Sequence, residues 1–277
     1  MADTWLILDT PYLAWRSFFS LPSFENDGIR TQVLFGVFQA ITYLREYFST
    51  NKFIFCFDAG CEKRREIYPE YKLGRQKKYE LMGEEEKQSH AEMRKQVALL
   101  EHKYLPRIGF RNIFSQTGYE ADDMVAVACS RLRQGDDAVI VSSDQDLFQL
   151  LRDDVRIWNP AKKKIIDKKA FCDEYGVEPS QWADVKAIAG CTTDEVPGVD
   201  GVGEKYAARF LTGSLKSTTK AYQSIVAGNS VWRRNLDLVR LPFPGATVPQ
   251  FQQDEVTRIS WDDVMERLGM RTMMRSV

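Results

Sequence analysis

The sequence predicts an α/β fold, a mostly parallel sheet with helices on both faces, followed by a smaller, wholly helical module. Three observations carry this. First, the runs Trp5-Leu6-Ile7-Leu8, Phe53-Ile54-Phe55-Cys56-Phe57 and Ala138-Val139-Ile140-Val141 are continuously apolar, as parallel strands buried on both faces are. Second, helical stretches alternate with them, the pattern of a mostly parallel sheet. Third, the texture changes after Pro160 to short helices around a glycine-rich turn. A soft boundary near residue 165 separates residues 1–165 from residues 166–277.

The elements follow in order. Pro11 suits a first helical position, so a helix follows the first strand. Residues 31–48 are apolar nearly all round and predict a buried helix. Residues 84–104 carry Met93, Val97, Leu100 and Tyr104 at spacings of four, three and four, a one-sided stripe. Residues 120–133 place acids in the first turn and arginines in the last, as the helix dipole favours. Lys162, Lys163, Lys164, Lys168 and Lys169 read as a basic connector. Helices are expected over 180–189, 204–211 and 231–238, with a tight hairpin at 197–203. After Pro242 the chain reads as irregular until 261–268.

Composition narrows the chemistry. The chain has 277 residues, 44% hydrophobic and 28% charged, with mean hydropathy −0.37, which suits an ordinary globular protein. No apolar run approaches the roughly 20 residues that span a bilayer, and the first nine residues lack the features of a signal peptide. A cytoplasmic protein without a membrane partner is expected. Five widely spaced cysteines form no C-x-x-C pair, which argues against a disulfide framework or zinc knuckle. Only His90 and His102 are present, too few for a histidine-based triad or metal site. Carboxylates, lysines, arginines and hard metal ions are left to do any chemistry.

The net charge is −1, yet residues 63–78 hold seven basic side chains (Lys63, Arg64, Arg65, Lys72, Arg75, Lys77, Lys78) against Glu66 and Glu70. A local cation cluster can grip phosphates even on a weakly acidic protein, or it can be a solvated face. Tyr68 and Tyr71 interleave with it, either to stack on unpaired bases or simply to pack.

The acids have bland readings one by one. Asp9 and Asp58 end strands and could be caps or turn formers. Glu120, Asp122 and Asp123 open a helix, where they pair favourably with its dipole. Asp144 and Asp146 flank Gln145 in a serine-led turn. Together they crowd one rim of a parallel sheet, the carboxyl ends where ligands gather. Like charges so close repel, and hard divalent ions such as magnesium or manganese are the expected neutralisers. Ions held by carboxylates serve phosphodiester hydrolysis, and Lys72 and Arg75, three residues apart, could offset charge on a scissile phosphate. V-P-G-V-D-G-V-G-E-K-Y-A (196–207) has the form of a helix-hairpin-helix element. Gly198, Gly201 and Gly203 allow a tight turn, and the amides entering the next helix, with Lys205, suit a DNA phosphate.

These motifs resemble the metal-dependent 5′-nucleases, the flap endonucleases and 5′–3′ exonucleases. E-Y-K-L-G-R (70–75), the acidic run at 84–87 and R-N-L-D-L-V (234–239) look most like the free-standing bacteriophage enzymes. The resemblance covers roughly residues 5–241 and implies a PIN-like α/β domain with a helical arch over about 67–104. The stand-alone form without a polymerase is expected, and a monomer. By resemblance Asp9, Asp58, Glu120 and Asp122 surround a first metal, with Asp123 adjoining through water. Asp144, Asp146 and Asp194 would serve a second metal. Arg64, Lys72 and Arg75 would contact the reacting phosphate, and Arg16 would lie near the active site. Carbonyls over 196–202 would hold a potassium ion that bridges to DNA with 5′ single-stranded ends or flaps.

One departure stands out. The family's G-D-x-x-D before the hairpin reads Gly190-Cys191-Thr192-Thr193-Asp194 here, and a soft thiol matches magnesium poorly. Activity with a raised metal requirement is the expectation. The rivals are a DNA-structure-binding protein with weakened or lost catalysis and a PIN-type ribonuclease.

Overall fold

The computed structural model describes residues 3–274. The central sheet has six strands: β1 (Thr4–Asp9), β2 (Lys52–Cys56), β3 (Ile113–Phe114), β4 (Asp137–Val141), β5 (Val155–Asn159) and β6 (Lys164–Ile166). Their order across the sheet is β3-β2-β1-β4-β5-β6, all parallel except β6. The three apolar runs of the sequence are the three central strands.

Alternation within those runs sends side chains to two cores. Trp5, Ile7, Ile54, Cys56, Ala138 and Ile140 face one side, while Leu6, Leu8, Phe53, Phe55, Val139 and Val141 face the other. Both faces are covered, so no polar alternation survives in the sequence. Each large apolar side chain buried this way contributes about 1.5–3 kcal/mol.

The first face is covered by the helices Ala121–Ser130, Lys168–Tyr175 and Trp182–Ala189. Val199, Val202, Ala207 and Ile225 of the helical region join that same core. The second face carries the helices Thr10–Ser20 and Gln32–Phe48 and the stretch from Met93 to Phe110. The 31–48 expectation holds for one side of its helix only. Tyr43 and Tyr47 are exposed, and the Tyr47 ring lies 4.8 Å from that of Trp158, covering a β5 residue at the sheet's flank.

The stripe at 93–104 also corrects the arch. The helix Leu73–Leu81 buries nothing, and the helix Glu84–Leu99 buries only Met93 and Gln96. The backbone amide of Val33 donates to Gln96 Oε1 at 2.9 Å, tying the helix to the body. The part standing clear therefore runs over about 73–92, beginning after the buried Tyr71. Beyond it the helix continues through a π turn, Leu100–Tyr104, into Leu105–Ile108. Pro106 lacks the amide that would bond back to the residue-102 carbonyl.

The basic connector is also corrected. Lys164–Ile166 is an antiparallel edge strand, and lysine on an edge discourages further pairing. The expected boundary near 165 coincides with the end of the sheet, but not with a division of the core. The tail returns to the body: Trp261 is wholly buried, its ring 5.6 Å from Phe38, and its Nε1 donates to the Met273 carbonyl at 2.8 Å. The Glu255 amide donates to the Gly109 carbonyl at 2.8 Å. Residues 254–274 thus belong with the α/β body, and 275–277 of the expected second domain lie outside the described residues.

Candidate active site

Strand register builds the site. Leu8 pairs with Val141 and Asp9 with Cys56, so β1, β2 and β4 end side by side. Asp9 caps the helix Thr10–Ser20, its Oδ1 accepting from the Tyr12 amide at 3.1 Å, while Oδ2 accepts from the Ser142 hydroxyl at 2.7 Å. Capping and site membership are compatible, because a carboxylate has two oxygens. Asp58 Oδ1 accepts from the Ala121 amide at 2.8 Å, which brings the start of the next helix to the same edge. Asp122 lies one residue further on, and Asp144 follows β4 in an exposed turn.

These four acids press on one another. Burial raises Asp9 to about 7, with the charges of Asp58 and Asp144 adding to it. Asp58 borders solvent, yet loss of water around its carboxyl raises it, and Glu120 pushes the same way. Asp122 is raised well above the carboxylate range by burial, then by Asp144 and Asp9. Among the described residues no lysine or arginine forms an ion pair with any of the four.

The remaining acids are compensated. Arg64 Nη1 and Nη2 bond Asp123 at 2.6 and 2.8 Å, and Arg64 Nε donates to the Leu238 carbonyl at 2.9 Å. Glu120 pairs with Lys72 and accepts from the Tyr71 hydroxyl at 2.8 Å. Burial alone would raise Glu120, but Lys72 and Arg64 outweigh it and hold the carboxyl below its ordinary value. Asp194 pairs with Arg75 at 2.9 Å and Lys72 at 3.5 Å. Lys72 itself takes a left-handed backbone conformation (φ 55°), with its amide bonded to the Asp194 carbonyl at 3.0 Å. Lys186 bonds Asp146 Oδ1 at 3.2 Å. Burial raises Asp146 to about 6, with Asp144 adding to it and Lys186 opposing.

Four expected roles change. Arg64 is 2% exposed and stacked 5.0 Å over Phe243, so it fixes the helix start through Asp123 and cannot reach a phosphate. Asp123 is fully buried, and also accepts from the Phe243 amide at 2.8 Å; it is structural, not a metal neighbour through water. Tyr71 is buried with its hydroxyl on Glu120, and Tyr68 is half-buried beneath the Arg234 guanidinium at 4.8 Å. Both pack rather than offer a free ring. Lys72 and Arg75 lie beside the acids, and Arg16 and Lys205 are exposed. In the hairpin, a side chain at Gly198 would meet the Ala189 carbonyl at 2.2 Å, and Gly201 has φ +70°. Those two positions demand glycine; Gly203 has open space and extended backbone.

Two participants escape sequence reading. Ser142 was legible in part, as the first residue of the serine-led turn after a strand. Lys186 carries no signal, since only the packing of its helix brings it to Asp146. A cavity of about 920 Å³ lies at the opposite end of the sheet, lined by Asp3, Trp5, Lys52 and Phe251 among others, away from these acids.

The donor sets differ in what they fit. Asp9, Asp58, Asp122 and Asp144 are hard oxygen donors without an ion pair among the described residues, Lys72 and Arg75 acting on Asp58 only from a distance, and a hard divalent ion fits them. Asp146, Cys191 and Asp194 bring ligand atoms within 4.8 Å of one another, but one is sulfur and both carboxylates already have cations. That set does not fit a hard ion.

A parallel sheet whose acids gather at its carboxyl edge, with Lys72 and Arg75 beside them, has the donor set for a hard divalent ion. Residues 4–176 match the family described as 5'-3' exonuclease, N-terminal resolvase-like domain. The chain is 30% identical over 225 residues to the 5'-3' exonuclease of Aquifex aeolicus, covering 79% of this chain and 73% of that one. Its fold matches the zinc-bound T5 5'-exonuclease with a TM-score of 0.75 at 25% identity, over 87% and 90% of the two chains. It also matches the bacteriophage T5 flap endonuclease in complex with DNA and metal ions, with a TM-score of 0.72 at 23% identity, over 96% and 100%. The chain belongs to the 5′–3′ exonuclease family, and the PIN-like, mostly parallel fold stands as expected. It spans about a quarter of the length of the DNA polymerases I that it matches. No helix among the described residues is long and apolar enough to cross a membrane.

Proposed function

We propose that this chain hydrolyses DNA phosphodiesters near 5′ ends, as a 5′–3′ exonuclease and a structure-specific 5′-flap endonuclease, and that it does so as a monomer. One observation carries the reading: Asp9, Asp58, Asp122 and Asp144 share one edge of the sheet without an ion pair among the described residues, next to Lys72 and Arg75, which pair with Glu120 and Asp194 instead. The relatives and fold neighbours, a 5'-3' exonuclease and a flap endonuclease with DNA, support it.

Asp9, Asp58, Glu120, Asp122 and Asp144 would hold magnesium or manganese. Such an ion supplies charge neutralisation and a water acidic enough to attack at neutral pH. Ser142 holds the Asp9 carboxylate in place, and the Ala121 amide does the same for Asp58. Lys72 and Arg75 offset charge on the scissile phosphate, exchanging Glu120 and Asp194 for its oxygens. The duplex backbone lies on the hairpin near Gly198, Gly201, Gly203 and Lys205, and the 5′ strand passes beneath the arch, near Arg16. A potassium ion on carbonyls over 196–202 is part of the same proposal; of these, Pro197 accepts from Asn235 Nδ2 and Val199 from the Val202 amide.

Incubation of the purified protein with a labelled 5′-flap duplex, with magnesium or manganese, tests this. Products carrying 5′-phosphates are expected, and no cleavage with either ion overturns it. Cys191 favours a second reading, a DNA-structure-binding protein without catalysis; it predicts cleavage only in Cys191→Asp, whereas the main reading predicts cleavage in both.

A further inference from the structure

We infer that Asp146, Cys191 and Asp194 form a thiolate–carboxylate site that selects a borderline divalent ion, zinc or cobalt, over magnesium. The inference builds on the nuclease reading of this sheet edge, but its test reads binding alone. Cys191 is 6% exposed and held from both sides: its backbone pairs with Val196 in a short antiparallel bridge, and Sγ lies 3.1 Å from the Thr193 hydroxyl. Sγ stands 3.9 Å from Asp146 Oδ2. A tetrahedral zinc ion with sulfur at about 2.3 Å and oxygen at about 2.1 Å separates those two ligands by about 3.6 Å, so little movement is needed. The three ligand atoms lie within 4.8 Å of one another.

The carboxylates are already oriented. Lys186 engages Oδ1 of Asp146, leaving Oδ2 toward the sulfur. Arg75 and Lys72 engage Oδ1 of Asp194. These cations matter for selectivity. A hard ion binds through net negative charge, which Arg75 and Lys186 (the latter shared with Glu204) reduce here; a zinc or cobalt ion also gains a covalent bond to sulfur. Three protein ligands leave the fourth position open to water. On binding, the thiol gives its proton to solvent and the sulfur lone pair forms the metal bond.

Titration of the intact protein with cobalt, followed by absorption, tests the site. The expected result is a thiolate-to-cobalt charge-transfer band in the near ultraviolet that saturates at one ion per chain. It should persist in a large excess of magnesium. Cys191→Ser should abolish the band and weaken cobalt binding by at least roughly 10–100-fold, with the far-ultraviolet circular dichroism unchanged. Cys191→Asp should bind without the band and let magnesium compete. Absence of the band in the natural protein, its survival in Cys191→Ser, or its removal by equimolar magnesium each overturns the inference. None of these readouts depends on DNA cleavage, so a cleavage failure and a failure of this site are distinguishable.

Discussion

Two groups of acids share one rim of the sheet and are handled in opposite ways. Asp9, Asp58 and Asp144 have amide or hydroxyl partners, none of these three or Asp122 has an ion pair among the described residues, and Asp9, Asp58 and Asp122 are driven toward protonation. Glu120, Asp123, Asp146 and Asp194 each have an arginine or lysine within 3.2 Å. The first group is costly to fold and gains from a bound dication; the second has its own cations, although Asp146, whose Lys186 is shared with Glu204, is still raised to about 6 by burial and Asp144. Proximity of carboxylates is therefore not enough to define a metal centre. The cations folded in beside them decide which carboxylates remain to be neutralised from outside.

The widest separation between the groups should come from removing one charge of each. Asp58→Asn should slow flap cleavage on the order of 10³-fold while leaving DNA affinity in calcium, measured by gel shift, nearly unchanged. Arg64→Ala strips the partner from a fully buried carboxylate. Chemical denaturation should show about 3–5 kcal/mol of lost stability. If instead Arg64→Ala is well folded and merely slow, the guanidinium acts on substrate and the comparison fails.

A smaller effect sharpens the second group. The Arg75 side chain is 61% exposed, so its ion pair with Asp194 should be worth less than about 1 kcal/mol to stability. Cleavage by Arg75→Ala should still fall roughly 10²-fold, because its role lies in the transition state. Single-turnover rates beside thermal melts separate the two.

The smallest effect is on pH. Asp9 is raised in the folded chain to about 7 from an ordinary 3.8, so the folded state holds the proton more tightly than the unfolded one. Its stability contribution is complete below about pH 4 and is lost as pH rises toward 7 and beyond. The metal-free protein should melt a few degrees lower at pH 8 than at pH 5, after correction for the other groups. Saturating magnesium should abolish much of that slope. Asp9→Asn should flatten it without metal.

Much of this was legible in residue order. Continuous apolar runs gave away the central strands because both faces of β1, β2 and β4 are covered. The acids could be gathered because each follows a strand or opens a helix, and parallel register brings such positions to one edge. Strand β3, with two residues, and β6, with lysine at its edge, lacked enough pattern to be seen. Resemblance to the family placed Arg64 on a phosphate, and the sequence gives its charge but not its direction.

The sequence by itself thus determined the fold class, the set of acids at the sheet's carboxyl edge and the thiol among them, since periodicity and motif spacing are local properties of the chain. Only the tertiary structure decided which cation meets which carboxylate. It turned Arg64 inward to Asp123, brought Lys186 from a separate helix to Asp146, and returned Trp261 to the face of Phe38. Such pairings join residues tens to more than two hundred positions apart. They are fixed by packing and desolvation of the whole core, which no short window of sequence encodes.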